Sequence, residues 1–138
     1  MAKVRATLNN SRGEHQIRLQ TNGGACSIEI PPKEKGYGSS VSGGELLFLA
    51  LATCYCNDIY REAAKRGIQV ERVEVEVEGD FEREGGPATH ITYRVRVKAD
   101  ARHEAIVELM RQTDQVAEIQ NTLRVETEVT LSSIEVLD

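Results

Sequence analysis

The stretch Ser42-Gly43-Gly44-Glu45-Leu46-Leu47-Phe48-Leu49-Ala50-Leu51-Ala52-Thr53-Cys54-Tyr55-Cys56-Asn57-Asp58-Ile59-Tyr60-Arg61-Glu62-Ala63-Ala64-Lys65-Arg66-Gly67 decides the fold. Ser42 and Glu45 have the spacing of a capping box, which satisfies free N–H groups at a helix start. Gly67 fits a helix stop, with Lys65 and Arg66 in the last turn, where cations suit the helix dipole. Positions 46–52 are apolar on every face, which predicts a buried central helix rather than a surface one. Cys54 follows Ala50 and precedes Asp58 by one turn each. A thiol and a carboxylate therefore share one helix face.

Outward from this helix, the chain alternates. Val4–Asn9 and His15–Thr21 read as two short strands around the turn Asn9-Asn10-Ser11-Arg12-Gly13. Cys26, Ile28 and Ile30 alternate with polar residues and predict a third strand, ended by Pro31-Pro32. The Gly- and Ser-rich stretch 33–41 is a loop into the helix.

Beyond Gly67 the period becomes two. Val73, Val75 and Val77 alternate with glutamates. After Gly85-Gly86-Pro87, Ile91, Tyr93, Val95 and Val97 alternate with Arg94, Arg96 and Lys98. These form an antiparallel pair, each strand with one apolar face. Acidic residues on one strand and basic ones on the other fix register rather than bind a ligand. Asp100 is the expected N-cap of a second helix carrying Ala105, Ile106, Leu109 and Met110 inward. A short helix restarts at Thr113 or Asp114 and runs to Leu123. Val125, Thr127, Val129 and Leu131 alternate as a last strand. The order βββ-α-ββ-α-β is that of an α+β fold with largely antiparallel sheets, read as one domain over residues 1–138.

The 138 residues suffice for a real core, since a chain of this length buries about 68–70% of its unfolded surface. The net charge of −5 gives no basic surface for nucleic acid or an anionic membrane. No apolar run reaches the roughly 18 residues of a membrane span, and no signal-like segment opens the chain, so the expected location is cytoplasmic. Cys26, Cys54 and Cys56 are an odd set, which argues against a secreted disulfide framework. On a helix, Cys54 and Cys56 point roughly 200° apart and cannot pair. The histidines His15, His90 and His103 have no ligand spacing, so neither a metal nor a cofactor is expected.

The order of elements, with a thiol on an apolar central helix, resembles the OsmC/Ohr superfamily of osmotically inducible and organic hydroperoxide resistance proteins. The segment Gly43–Cys54 resembles the family's helix with its reactive cysteine. Arg61-Glu62-Ala63-Ala64-Lys65-Arg66-Gly67-Ile68, followed by a Val/Glu strand, is also family-like. The run Asp114-Gln115-Val116-Ala117-Glu118-Ile119-Gln120-Asn121 resembles the short helix that carries a second cysteine after Gln-Val. The resemblance implies an intertwined homodimer with sites at the subunit interface. It also implies reduction of organic hydroperoxides, a sulfenic acid on Cys54, and recycling by an external thiol. It makes Cys54 the peroxidatic residue and Arg12 the arginine that serves it. Ala117 stands where the family has its second cysteine. Gly44 stands where the peroxidase subgroup has a glutamate, with Glu45 one residue nearer Cys54. These departures place the chain among divergent OsmC-like proteins.

Each residue also has a plainer reading. Cysteine is among the most buried residue types, so Cys54 packs as a small hydrophobe unless a cation or dipole favours its thiolate. An arginine in a hairpin turn is ordinarily solvated. Glu45 has its capping role, Asp58 acts as a hydrogen-bond acceptor, and Cys56 packs. Tyr37, Tyr55 and Tyr60 line either an apolar pocket or a subunit interface. A thiol peroxidase, a non-enzymatic binder of small hydrophobic ligands and a thiol sensor all remain open.

Overall fold

A computed structural model describes residues 2–137. The chain divides into two compact units, Met1–Leu46 and Leu47–Asp138. In the first, β1 (Val4–Ser11) pairs antiparallel with β2 (Glu14–Thr21), and β2 pairs with β3 (Gly24–Cys26). Ser11 pairs Glu14, so the hairpin turn is the two residues Arg12 and Gly13. Gly13 takes φ +74°, a conformation that glycine adopts without steric cost. The third strand is shorter than its alternation predicts and stops at Cys26. Pro31 and Pro32 have no N–H for a ladder, and Pro32 instead bridges Ser39.

Helix α1 covers Gly43–Lys65, as its signals predict. The capping box is formed in both directions: Glu45 N–H donates to Ser42 Oγ at 3.1 Å and Ser42 N–H to Glu45 Oε1 at 2.9 Å. At the other end Ile68 N–H reaches Ala63 O and Gly67 N–H reaches Ala64 O, with Gly67 at φ +65°. That is a Schellman stop.

In the second unit, β4 (Gln69–Asp80) and β5 (Thr89–Asp100) form a long antiparallel pair. Val73 faces Val97, Val75 faces Val95 and Val77 faces Tyr93. On the outer face Glu74 pairs Arg96 and Glu76 pairs Arg94, with ion pairs of 3.1 and 3.2 Å. The core closes where Tyr55, Ile59 and Ala63 of α1 meet Leu109, flanked by the apolar face of the two strands. Ile59 and Leu109 each contribute about 1.5–3 kcal/mol through full burial.

Helix α2 (His103–Val116) starts two residues later than the Asp100 cap predicts. Asp100 is held in the ladder opposite Gln69, and Arg102 takes the N-cap position without a side-chain cap. Ala117, with ψ 111°, breaks the helix, and α3 (Glu118–Arg124) follows. The final strand predicted from Val125 to Leu131 is not formed, and residues 125–137 have no regular structure. The order is therefore βββ-α-ββ-α-α. The α+β class and the antiparallel sheets stand, but the last strand has no partner in the described chain. A strand without a partner has no ladder to hold it.

Candidate functional site at Cys54

Cys54 lies in the middle of α1 and is half-buried. Asp58, one turn on, is 5% exposed and turns Oδ2 to Cys54 Sγ at 3.5 Å. Glu118, first residue of α3, brings Oε2 to the same sulfur, also at 3.5 Å. The break at Ala117 makes this approach possible, because it redirects the chain after α2. Ala117 itself is fully buried. Gln120 Nε2 then donates to Leu51 O at 3.0 Å and ties α3 to α1. Asp114 accepts from Tyr93 and Arg124, which fastens the α2–α3 corner to β5.

Arg61 completes the cluster. Its Nη1 lies 3.0 Å from Asp58 Oδ1 and 3.1 Å from Glu118 Oε1. Each carboxylate thus gives one oxygen to the guanidinium and the other to the thiol. The spacing follows from helix geometry, since Cys54, Asp58 and Arg61 fall at i, i+4 and i+7 on one face.

Charge at the site runs against an easy thiolate. Burial pushes the Cys54 thiol up, and the two carboxylates add to this, while the N–H of Ile119 acts the other way. Asp58 is pushed up to about 6, first by desolvation and then by Glu118, with Arg61 opposing. Glu118 goes down to about 2, chiefly through its hydrogen bond from Asp58, with Arg61 helping. The two carboxyls therefore act as a pair in which Asp58 is the first to take up a proton as pH falls through about 6.

The sequence points to Cys54 and Arg12. Arg12 sits in the exposed β1–β2 turn of the Met1–Leu46 unit. The side chains that hydrogen-bond Cys54 Sγ among the described residues are carboxylates, not cations. Arg61 and Glu118 were not singled out in the sequence. Arg61 was findable from the helix face it shares with Cys54. Glu118, 64 residues away, was not. Glu45 is held by Ser42 and lies below the usual carboxylate range for that reason. Cys26 is exposed and Cys56 half-buried, both as free thiols. Of the tyrosines, Tyr55 is core and donates to Met110 O at 2.8 Å, whereas Tyr37 and Tyr60 are exposed.

Cys54, Asp58 and Glu118 hold three metal-type ligand atoms within 4.8 Å of one another. Arg61 already supplies positive charge to both carboxylates there. A cleft of about 420 Å³ lies between Tyr55, Tyr93, Val95, Met110 and Asp114. The larger groove, about 1070 Å³, runs across β1, β2 and residues 25–32, with walls from the first unit alone.

The family described as OsmC-like protein matches residues 36–132, which includes Cys54 and all three helices. The chain belongs to this OsmC-like family. Solved OsmC-like structures share its fold. An OsmC-like protein of unknown function from Vibrio cholerae superposes with a TM-score of 0.60 at 17% identity, covering 93% of this chain and 96% of that one. An OsmC-like protein from Mycoplasma pneumoniae gives 0.57 at 17% identity, with 87% of each chain covered. An OsmC-like hydroperoxide resistance protein from a Jannaschia species gives 0.55 at 13% identity, covering 93% and 90%. No curated protein matches the chain by sequence. Among the described residues no helix of this OsmC-like chain is long and apolar enough to cross a membrane.

Proposed function

We propose that this OsmC-like protein reduces organic hydroperoxides with Cys54 as the reacting thiol. An external thiol then restores it, because Ala117 supplies no second sulfur. The observation that carries this reading is the setting of Cys54: half-buried, with its one S–H within reach of two carboxylate oxygens, Asp58 Oδ2 and Glu118 Oε2, each 3.5 Å from Sγ. A cysteine kept only for packing has no use for two carboxylates and a guanidinium around it. The hydroperoxide resistance protein with the same fold supports the reading.

The decisive experiment is mass spectrometry after one equivalent of an alkyl hydroperoxide. Cys54 gains an oxygen before Cys26 and Cys56, and a dithiol removes it. Equal oxidation of all three thiols would sink the proposal. It would leave a second reading, the binding of a small apolar ligand, which the upward shift of the Cys54 thiol and the cleft beside Tyr55 and Tyr93 favour.

The working unit in this proposal is a homodimer. Leu49 and Tyr60 on α1 are 59% and 44% exposed, and Val129, Leu131, Ile134 and Val136 in the tail are 80–93% exposed. Apolar residues in such number call for a covering surface, and a tail with a strand-like alternation gains a ladder only from another strand. Light scattering at micromolar concentration gives the mass of two chains. A monomer mass would refute this assembly.

A further inference from the structure

We infer that Asp58 is the group that takes the Cys54 proton and returns it to the leaving oxygen, with Glu118 and Arg61 as positioning residues. This rests on the hydroperoxide reading above. The geometry singles Asp58 out of the two carboxylates. It stands one helical turn from Cys54, so helix geometry makes the two side chains neighbours, with Sγ and Oδ2 3.5 Å apart. Arg61 holds Oδ1 at 3.0 Å, which leaves Oδ2 facing the sulfur. The side chain of Asp58 is 8% exposed, whereas that of Glu118 is 60% exposed. A base shielded from water keeps its proton for the reaction instead of sharing it with solvent.

Among the described residues, three charged or titratable groups face Asp58: Cys54 and Arg61 from α1 and Glu118 from α3. Burial and then Glu118 lift Asp58 to about 6 against the pull of Arg61, which brings it close to neutral pH, where a general base works best. Glu118, drawn down to about 2, is a far weaker acceptor. A neutral thiol beside such a base does not need a depressed pKa, because the proton leaves as the sulfur attacks.

The Cys54 sulfur attacks the outer oxygen of R–O–O–H, an S–O bond forms and the O–O bond breaks with its electron pair on the alkoxide. The S–H proton passes to Asp58 Oδ2 and from there to the alkoxide. Cys54–SH and ROOH become Cys54–SOH and ROH, so sulfur is oxidised and the peroxide reduced.

The test is the single-turnover rate of Cys54 oxidation by tert-butyl hydroperoxide across neutral and mildly acid pH, with alkylation by iodoacetamide in parallel. In the native chain the oxidation rate climbs through about pH 6 as Asp58 loses its proton. Asp58→Asn is about 100-fold slower at neutral pH and has lost that limb. Its alkylation nevertheless shifts to lower pH, because a negative charge next to the thiol is gone. Glu118→Gln, at an exposed position, keeps the limb but moves it below pH 6. Asp58→Asn oxidised as fast as the native chain would overturn the inference and leave the hydroperoxide reading intact. A native Cys54 no faster than Cys26 would overturn both. If Asp58→Asn does not fold, an unmoved limb in Glu118→Gln is enough to reject the role of the pair.

Discussion

Two successive turns of α1 bury a carboxylate each, and they treat it in opposite ways. Asp58 and Glu62 are 5% and 6% exposed. Asp58 is pushed up to about 6, while Glu62 is pulled down to about 2. Burial alone raises both. The difference lies in the partners. Glu62 receives Lys65 at 2.9 Å, Arg61 at 3.1 Å and Arg66 at 3.4 Å, all on the last turns of the helix. Among the described residues Asp58 has a single cation, which it shares with Glu118, and a thiol on its other side. One turn of the helix is thus a satisfied anchor, and the turn before it is an electrostatic compromise. Functional groups are commonly found in the second kind of environment, where neighbours shift a pKa toward the working pH.

The largest effect that would sharpen the contrast is expected at Glu62. Glu62→Gln leaves three cations without their common partner, so the thermal midpoint at neutral pH falls by several degrees. The sign of the pH dependence follows from the lowered pKa. The Glu62 contribution is complete above 4.5, the value of the free group, and disappears as pH falls toward about 2. Thermal melts of the two proteins should therefore converge in strong acid. A difference that persists unchanged at the lowest pH would mean that Glu62 acts through packing and not through charge.

The sequence revealed these two turns unequally. The anchor is local: Glu62, Lys65 and Arg66 lie at helix spacing, and the capping box and Gly67 set where the helix runs. The same holds for β4 and β5, whose period-two pattern and opposite charges dictate their register. What the sequence hid depends on partners far along the chain. Asp100 looks like a cap but is claimed by the ladder with Gln69. The alternation of Val125 to Leu131 is a strand signal with nothing in the described chain to pair with. Cys54 and Asp58 could be placed on one face from their spacing alone. That Glu118 would join them depended on the break at Ala117, which carries no local signal of its own. The site was half legible for that reason: its helix side is written in a periodicity, and its α3 side in a tertiary contact.

A smaller effect, of opposite sign, is expected at Asp58. Its folded pKa is raised above 3.8, the value of the free group, so folding favours the protonated form. The stability this group contributes is complete below 3.8 and is lost as pH rises through about 6. Asp58→Asn removes a charge that the folded chain accommodates poorly at neutral pH, yet it keeps the shape of the side chain. The variant should be more stable than the native chain by about 1–2 kcal/mol above neutral pH. Near pH 3.5, where Asp58 is neutral anyway, the two should match within about 0.5 kcal/mol. Urea unfolding at the two pH values measures this directly. A loss of stability at neutral pH would show that the bond to Arg61 outweighs burial and the repulsion from Glu118. Asp58 would then be an anchor like Glu62, and the contrast between the two turns would disappear. A gain of stability together with slower oxidation of Cys54 would instead show a residue kept at a cost to the fold, as expected of a group retained for its chemistry.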